Sequence, residues 1–489
     1  MKNSNKILLS LFVLVFLGSC NNPLEEDIYS FISTENFYKN ADDADAAIEG
    51  IYSGLDGDAV YGRWFYDLVH LMDDQVTIHR NPLFLQMDDF NFTPDHPYLN
   101  EFWAGMYSVI KYANVAINRI PDIEMEVNLK NSYIGEARFL RANMYFNLVR
   151  LWGSVPLIVE EVLDESSAII NKETISDIYD IITSDLIFAE ENLPSTRPSV
   201  EFGRVTSGAA KAMLTDVYLT QEKYVEAAAK AEELINTGNY SLLENYSDIF
   251  SSDNEHNPEI IYSIVFDGIN SGNWMASFSH VGGTDNANCA NGAQVWQVEE
   301  ESEMWQSWDN QDLRRQFSVY DEYLSKDGTY KSVYNTSRPY PGFGKWNAPG
   351  ETGVSSCPIN PILYRYADVL LMYAEATALA NGGPNQDAYD AVNMVRRRGY
   401  GLPINESSNV DLPTGLSQSE FRDAVILERS HEFVVEGKRL FDLLRTGVYP
   451  QILESLGKNI NPNAKLFPIP SAEIDANAAL SMEDQNPGY

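Results

Sequence analysis

The side chains that could do chemistry in this chain stand in two short runs. Glu299, Glu300 and Glu301 offer carboxylates for a hydrolase. A glycosidase needs two carboxyl groups facing each other across a sugar, one of them with a raised pKa. Consecutive residues point in different directions, so this run reads as the solvated start of a helix before Met304 and Trp305. His431-Glu432-Phe433-Val434-Val435 begins like the HExxH zinc motif, but Val435 stands where the second histidine is required and a metal would lack a ligand. Around it, Glu428, Arg429, Glu432, Glu436, Arg439, Asp442 and Arg445 are spaced for ion pairs within and between helices. Asp42, Asp43 and Asp45 fall in the first turn of a helix, whose positive end they complement, and make a poor metal site. Neither a phosphate-binding P-loop nor a GxSxG elbow occurs. The reading assigns no catalytic residue, no metal and no cofactor.

What remains is recognition by shape and stacking. An aromatic ring can cover the C–H face of a sugar while Asn, Asp or Arg bond its hydroxyls. Of eight tryptophans, Trp103 and Trp152 fall in buried helices, Trp305 and Trp308 share a helix face, and Trp346 lies in a core segment. Trp64, Trp274 and Trp296 are left. Asn273, Trp274, Phe278, Asp285 and Trp296 bracket a loop-rich stretch, and Trp274 is the first choice among them. Arg80 and Phe84 sit in 79–95, which has two prolines and no helical period and is predicted to be a loop at the lip of a site, or one pinned by hydrophobic plugs.

The elements that must position these residues are mostly helices. From Gly135 to Leu151, apolar residues recur every three or four positions with aromatics widening the stripe, a core helix that Gly153 and Pro156 end. Its Arg138, Arg141 and Arg150 could pair with carboxylates of neighbouring helices. Other helices are predicted at 41–55, with Ser33 or Thr34 able to cap an early helix before it, and at 65–76, 98–120 and 174–193. Residues 206–238 and 366–398 each read as a tetratricopeptide-like hairpin with small residues at the crossing. From 239 to 360 the helical period fades, with a strand at 260–266 followed by turn residues. The fold class is therefore all-α dominated, a tetratricopeptide-like helical-pair scaffold with an irregular, loop-rich capping portion containing short strands.

At the amino terminus, Lys2 and Lys6 precede the apolar run Ile7 to Leu17, too short to span a bilayer, and Leu17-Gly18-Ser19-Cys20 looks like a bacterial lipobox. Residues 1–19 read as a signal peptide, Cys20 as the acylated residue, and 20–32, with Glu25, Glu26 and Asp27, as a lipidated acidic tether. Loss of Lys2 and Lys6 moves the formal net charge from −37 to −39, which repels phosphate backbones and argues against nucleic acid as a partner. Cys289 and Cys357 could oxidise outside the cytoplasm, but nothing in the sequence fixes their distance.

Four stretches carry a family resemblance: GEARFLRANMYFNLVRLWGSVPLI (135–158), PILYRYADVLLMYAEA (361–376), ERSHEFVVEGKRLFDLLRTG (428–447), and the tail LFPIPSAEI with QNPGY. Together they closely resemble the SusD/RagB family of lipid-anchored nutrient-binding proteins, over nearly the whole mature chain. Asn477-Ala478-Ala479-Leu480 replaces the family's frequent Asn-Pro-Leu turn. The resemblance implies one domain over 33–489, with helical parts at 33–238 and 361–489 and the insertion at 239–360 between them. It also implies an outer-membrane, surface-exposed protein whose capping loops capture an oligosaccharide and pass it, without chemistry, to a SusC-like TonB-dependent transporter. A peptide ligand is the alternative on the same fold, and a surface glycosidase or a structural repeat adaptor are further ones.

Overall fold

The computed structural model describes residues 37–266, 271–282, 284–287, 295–346, 355, 357–458 and 466–489. The expected signal peptide and tether with Cys20, the caps expected at Ser33 and Thr34, and Cys289 lie outside them.

Helices dominate, and they begin where short polar side chains can serve the free amides of a first turn. Asn40 accepts from the amides of Asp42 and Asp43 to start Ala41–Tyr52. Thr174, Thr206 and Asn385 do the same for Ile175–Asn192, Ser207–Thr220 and Gln386–Gly399. Ser417 and Glu420 form a reciprocal capping box at the head of Gln418–Glu432. The central helix, Val127–Trp152, is buried from Ser132 to its end except for half-buried Arg138 and Arg150, and Gly153 stops it at φ +72°.

So much burial forces the charges on this helix to find partners. Arg141 donates two bonds to Asp185 at 2.8 and 2.9 Å, and Arg138 approaches the same carboxylate at 3.7 Å. Glu136, wholly buried, receives Arg197 at 2.9 Å and Arg204 at 2.8 Å.

Neighbouring helices stack in sequence order from Pro97–Arg119 through Val127–Trp152, Ile175–Asn192 and Ser207–Thr220 to Tyr224–Asn236. The last of these packs on Tyr366–Ala380, which in turn meets Gln386–Gly399 and Gln418–Glu432. The helical pairs thus form one array although they are separated in sequence. Where the insertion meets the C-terminal helices, Glu432 is shared by Arg314 at 2.8 Å, Arg365 and Arg398, all wholly buried. This is the fate of the partial zinc motif: Glu432 is a structural anion, His431 stacks on Trp308 at 4.8 Å, and Val435 is core.

Among the described residues there are four two-stranded antiparallel ribbons, two that tie the insertion to the helical parts and two within it. Ile260–Ser263 pairs with Ile362–Arg365, shorter than the strand expected to reach 266. Val76–Thr77 pairs with Gln297–Val298, Val319–Tyr320 with Gly342–Phe343, and Glu322–Leu324 with Tyr330–Ser332.

The first helix ends at Tyr52 rather than 55, and the helix expected to run from 65 to 76 is Trp64–Leu71, because Val76 leaves to join a ribbon. The segment 79–95 is also not all loop. Pro82–Asp88 is helical, since Pro82 suits a first helical position and Asn81, itself at φ +62°, caps the amide of Leu83.

Candidate ligand-binding face

The helix Trp64–Leu71 begins with its preceding residue, Arg63, turned between two indoles. The Arg63 guanidinium carbon lies 4.0 Å from the Trp64 ring centre and 4.2 Å from that of Trp274. Trp274 arrives from the insertion, 211 positions away, and its amide donates to the carbonyl of Gly62 at 3.2 Å. Gly62 has no room for a side chain: a Cβ would stand 2.6 Å from the Asp56 carbonyl oxygen. The Trp274 indole N–H donates to Asp58 at 2.9 Å, and that of Trp64 to Glu101 at 2.7 Å. Both tryptophans are therefore held by edge and by face.

Further rings complete the floor. Tyr98 stacks on Trp64 at 4.0 Å with 16° between planes, and Phe84 leans on Tyr98 at 5.3 Å. Phe278 lies 5.3 Å from Trp274 and 5.9 Å from Trp296, whose N–H donates to Asp67 at 3.1 Å. Asp67 also accepts from Arg63 at 3.3 Å, and burial pushes its pKa up to about 7 against the pull of Arg63. Trp64, Phe84, Phe278 and Trp296 are buried, Arg63, Tyr98 and Trp274 are half-buried, and Asp58 and Glu101 are exposed. The only indole of this cluster with a half-open surface is that of Trp274.

Of the residues singled out in the sequence, Trp64, Phe84, Trp274, Phe278 and Trp296 thus gather in one cluster. Asn273 is wholly buried beneath it: its side chain donates to the Ile359 carbonyl at 2.9 Å and accepts from the Met275 amide at 3.1 Å, which fixes the turn presenting Trp274. Asp285 is elsewhere, beside the ribbon of Glu322–Leu324 and Tyr330–Ser332, where it accepts from Lys331 at 2.8 Å. That hydrogen bond and one from Ser325 hold its pKa below the usual carboxylate range.

Arg80 belongs to a second group on the rim. Because Val76–Thr77 pairs with Gln297–Val298, and the Val298 amide donates to the Pro341 carbonyl at 3.3 Å, three chain segments leave side by side. They bring together His79 and Arg80, Glu299 and Glu300, and Arg338 to Tyr340. The exposed His79 ring stacks on Tyr340 at 4.3 Å, Arg80 donates to the Ser337 carbonyl at 3.4 Å, and Tyr334 donates to Glu300 at 2.6 Å. Burial, with Arg80 nearby, lowers the pKa of Arg338, while burial raises that of Glu299. The helix Pro82–Asp88 follows Arg80 directly and carries Phe84 into the first cluster, so the two groups adjoin.

Sequence reasoning missed Arg63, Tyr98, Asp58, His79 and Tyr340. The Arg63-Trp64 pair beside a glycine was a weak local signal. Nothing in one dimension pairs His79 with Tyr340. Among the described residues no three His, Cys, Asp or Glu side chains gather to hold a metal ion, and no helix is long and apolar enough to cross a membrane.

Comparison with known proteins agrees over the whole array. A family model described as "SusD family" matches residues 239–489, and one described as "Starch-binding associating with outer membrane" matches 34–219. A SusD-like protein of Formosa agariphila is 27% identical over 99% of both chains. The starch-binding protein SusD of Bacteroides thetaiotaomicron is 31% identical over 159 residues, 30% of this chain and 28% of its own. Among solved structures, a SusD homologue from Bacteroides thetaiotaomicron superposes with a TM-score of 0.83 at 27% identity, covering 93% of this chain and 98% of its own. A laminarin-binding SusD-like protein gives 0.78 at 26% identity, covering 92% and 100%.

Proposed function

Because this chain belongs to the SusD family, we propose that it is a surface nutrient-binding lipoprotein that captures an oligosaccharide on the face running from Trp274 and Arg63 to His79 and Tyr340. The observation that carries the reading is the Trp274 indole, half-open to solvent yet fixed by Arg63 on its face and Asp58 at its edge. A ring held in advance loses little freedom when a sugar stacks on it, and Asp58 and Arg63 beside it, with Glu101 at the neighbouring Trp64, can meet hydroxyl groups. The excess of carboxylates favours a neutral ligand over an anionic one. The chain's similarity to a starch-binding protein and to a laminarin-binding protein supports this ligand class.

The same reading places the protein at the outer membrane through acyl chains on Cys20, after removal of residues 1–19, with 20–32 as the tether. It acts without catalysis and hands its ligand to a SusC-like TonB-dependent transporter. The test is calorimetric titration of the protein truncated after Cys20 with a panel of glycans and peptides, beside Trp274→Ala. One glycan class should bind, and the substitution should weaken it about tenfold, in keeping with the loss of a central aromatic contact. Binding of peptides alone sinks the ligand class, and glycan binding indifferent to Trp274 sinks the site.

A further inference from the structure

Asp and Glu outnumber Lys and Arg by 71 to 34, so an arginine of this chain seldom stands far from an acid. Arg119, Arg141, Arg397, Arg439 and Arg445 each meet a carboxylate. Arg80 departs from this pattern. It is exposed and makes no ion pair among the described residues, and its bond to the Ser337 carbonyl, at 3.4 Å, is long. The carboxylates of the adjoining segment are turned to other donors, Glu300 to the Tyr334 hydroxyl at 2.6 Å and Glu299 to the Glu301 amide at 3.3 Å.

The backbone sets a second guanidinium beside it. The ribbon of Val76–Thr77 with Gln297–Val298, and the bond from the Val298 amide to the Pro341 carbonyl, bring the segment of Arg338 alongside that of Arg80. Arg338 follows Ser337 directly and is half-buried, and the charge of Arg80 adds to burial in lowering its pKa. Like charges held together repel, and an anion that meets both relieves the repulsion. The guanidinium fork matches the paired oxygens of a carboxylate or a sulfate. Next to them the exposed His79 ring, stacked on Tyr340 at 4.3 Å, offers a flat surface and a ring N–H.

This rim adjoins the aromatic cluster, since Phe84, four positions beyond Arg80, packs on Tyr98 and Phe278. The negative charge of the whole chain does not oppose an acidic group here. At physiological salt a field is screened beyond about 8 Å, so the excess carboxylates favour a largely neutral run of sugars at a distance, while the rim decides what is met in contact. Building on the oligosaccharide reading of the Trp274 face, we propose that His79, Arg80, Arg338 and Tyr340 form a subsite for an acidic substituent of the captured glycan. That substituent is the carboxylate of a uronic acid or a sulfate ester, and Arg80 and Arg338 are its donors.

The experiment is a titration of the protein truncated after Cys20, at constant ionic strength, with glucuronate, glucose 6-sulfate, the neutral methyl ester of glucuronate, glucose and inorganic sulfate. Binding is followed through the amide NMR signals of His79, Arg80, Arg338 and Tyr340. Glucuronate or glucose 6-sulfate, or both, should give saturable shifts, and which of them does so separates the two sources of the acidic group. Arg80→Gln and Arg338→Gln should each raise Kd about tenfold, the loss of one charge-assisted hydrogen bond, and thermal unfolding will establish that both variants are folded. Trp274→Ala should leave these single-ring anions unaffected while weakening oligosaccharides, so the subsite and the Trp274 face can each fail alone. The proposal is overturned if neither acidic sugar gives saturable shifts, if glucose or the methyl ester binds as tightly, or if both Gln variants leave Kd unchanged. Inorganic sulfate binding as tightly as the acidic sugars would reveal an adventitious ion only and overturn it too.

Discussion

Removing the guanidinium between the two indoles tests whether the face is a unit or a set of separate residues. In Arg63→Ala the two ring contacts at 4.0 and 4.2 Å are lost. A half-buried cation over a ring is worth about 1 kcal/mol, so the pair contributes ~2 kcal/mol. Asp67 also loses its 3.3 Å donor while remaining wholly buried, but with a pKa already near 7 it can take a proton and limit the damage. The folded state should therefore lose ~2 kcal/mol at pH 7, read from urea unfolding. Trp274→Ala removes one of the two contacts and the bond to Asp58. If Arg63 and Trp274 act together, the double variant should be more stable than the sum of the single effects by ~1 kcal/mol, the shared contact counted once. Glycan affinity measured on the same four proteins should show the same sign. An interaction energy within ~0.3 kcal/mol of zero would refute the argument that the guanidinium holds the indole in place.

Further outcomes follow from the same contacts. Asp67 keeps its proton to about pH 7 when folded but releases it near 3.8 when unfolded, so the folded state binds the extra proton between these values and its stability falls as pH rises through them. Asp67→Asn cannot ionise, so its stability relative to the unsubstituted protein should climb from pH 4 to pH 8, measured by chemical unfolding at each pH; a constant difference would show that Asp67 does not titrate in that window. Arg141→Met leaves the Asp185 carboxylate buried without its two bonds and should cost about 3–5 kcal/mol, with Arg141→Met/Asp185→Leu recovering much of it. Calorimetric melting of both variants decides this, and equal losses would contradict it. Cys20→Ala should release the protein from the membrane fraction, read by detergent partitioning; retention there would exclude acylation of Cys20 as the anchor.

The candidate site was legible in residue types and only partly in place. Trp274 stands out in the sequence because it lies in a stretch without helical period, and the structure leaves its ring half-open. Trp64 and Trp296 remain by the same elimination but are buried, each with its N–H satisfied by a carboxylate that no pattern announces, Glu101 and Asp67. Asp285 was close in sequence to this group and lies on another ribbon, because the turns around it feed strand pairing rather than the cluster. The loop expected over 79–95 contains a helix of seven residues, too short for its period to stand out from a sequence with two prolines.

What the sequence determined by itself is the helical array. Capping residues, stop glycines and the three-to-four spacing of apolar residues act within one or two turns, so the chain writes them where they are used. Val127–Trp152, the hairpin helices and the charged helix Gln418–Glu432 are all of this kind. Only the tertiary structure decided that Arg63 meets Trp274 and that His79 meets Tyr340. These pairs depend on where the insertion docks, and docking is set by the ribbon that joins Val76–Thr77 to Gln297–Val298 and by the backbone bond from Trp274 to Gly62. Contacts closed over hundreds of residues leave no period in the sequence, because each partner needs only a compatible surface at the far end.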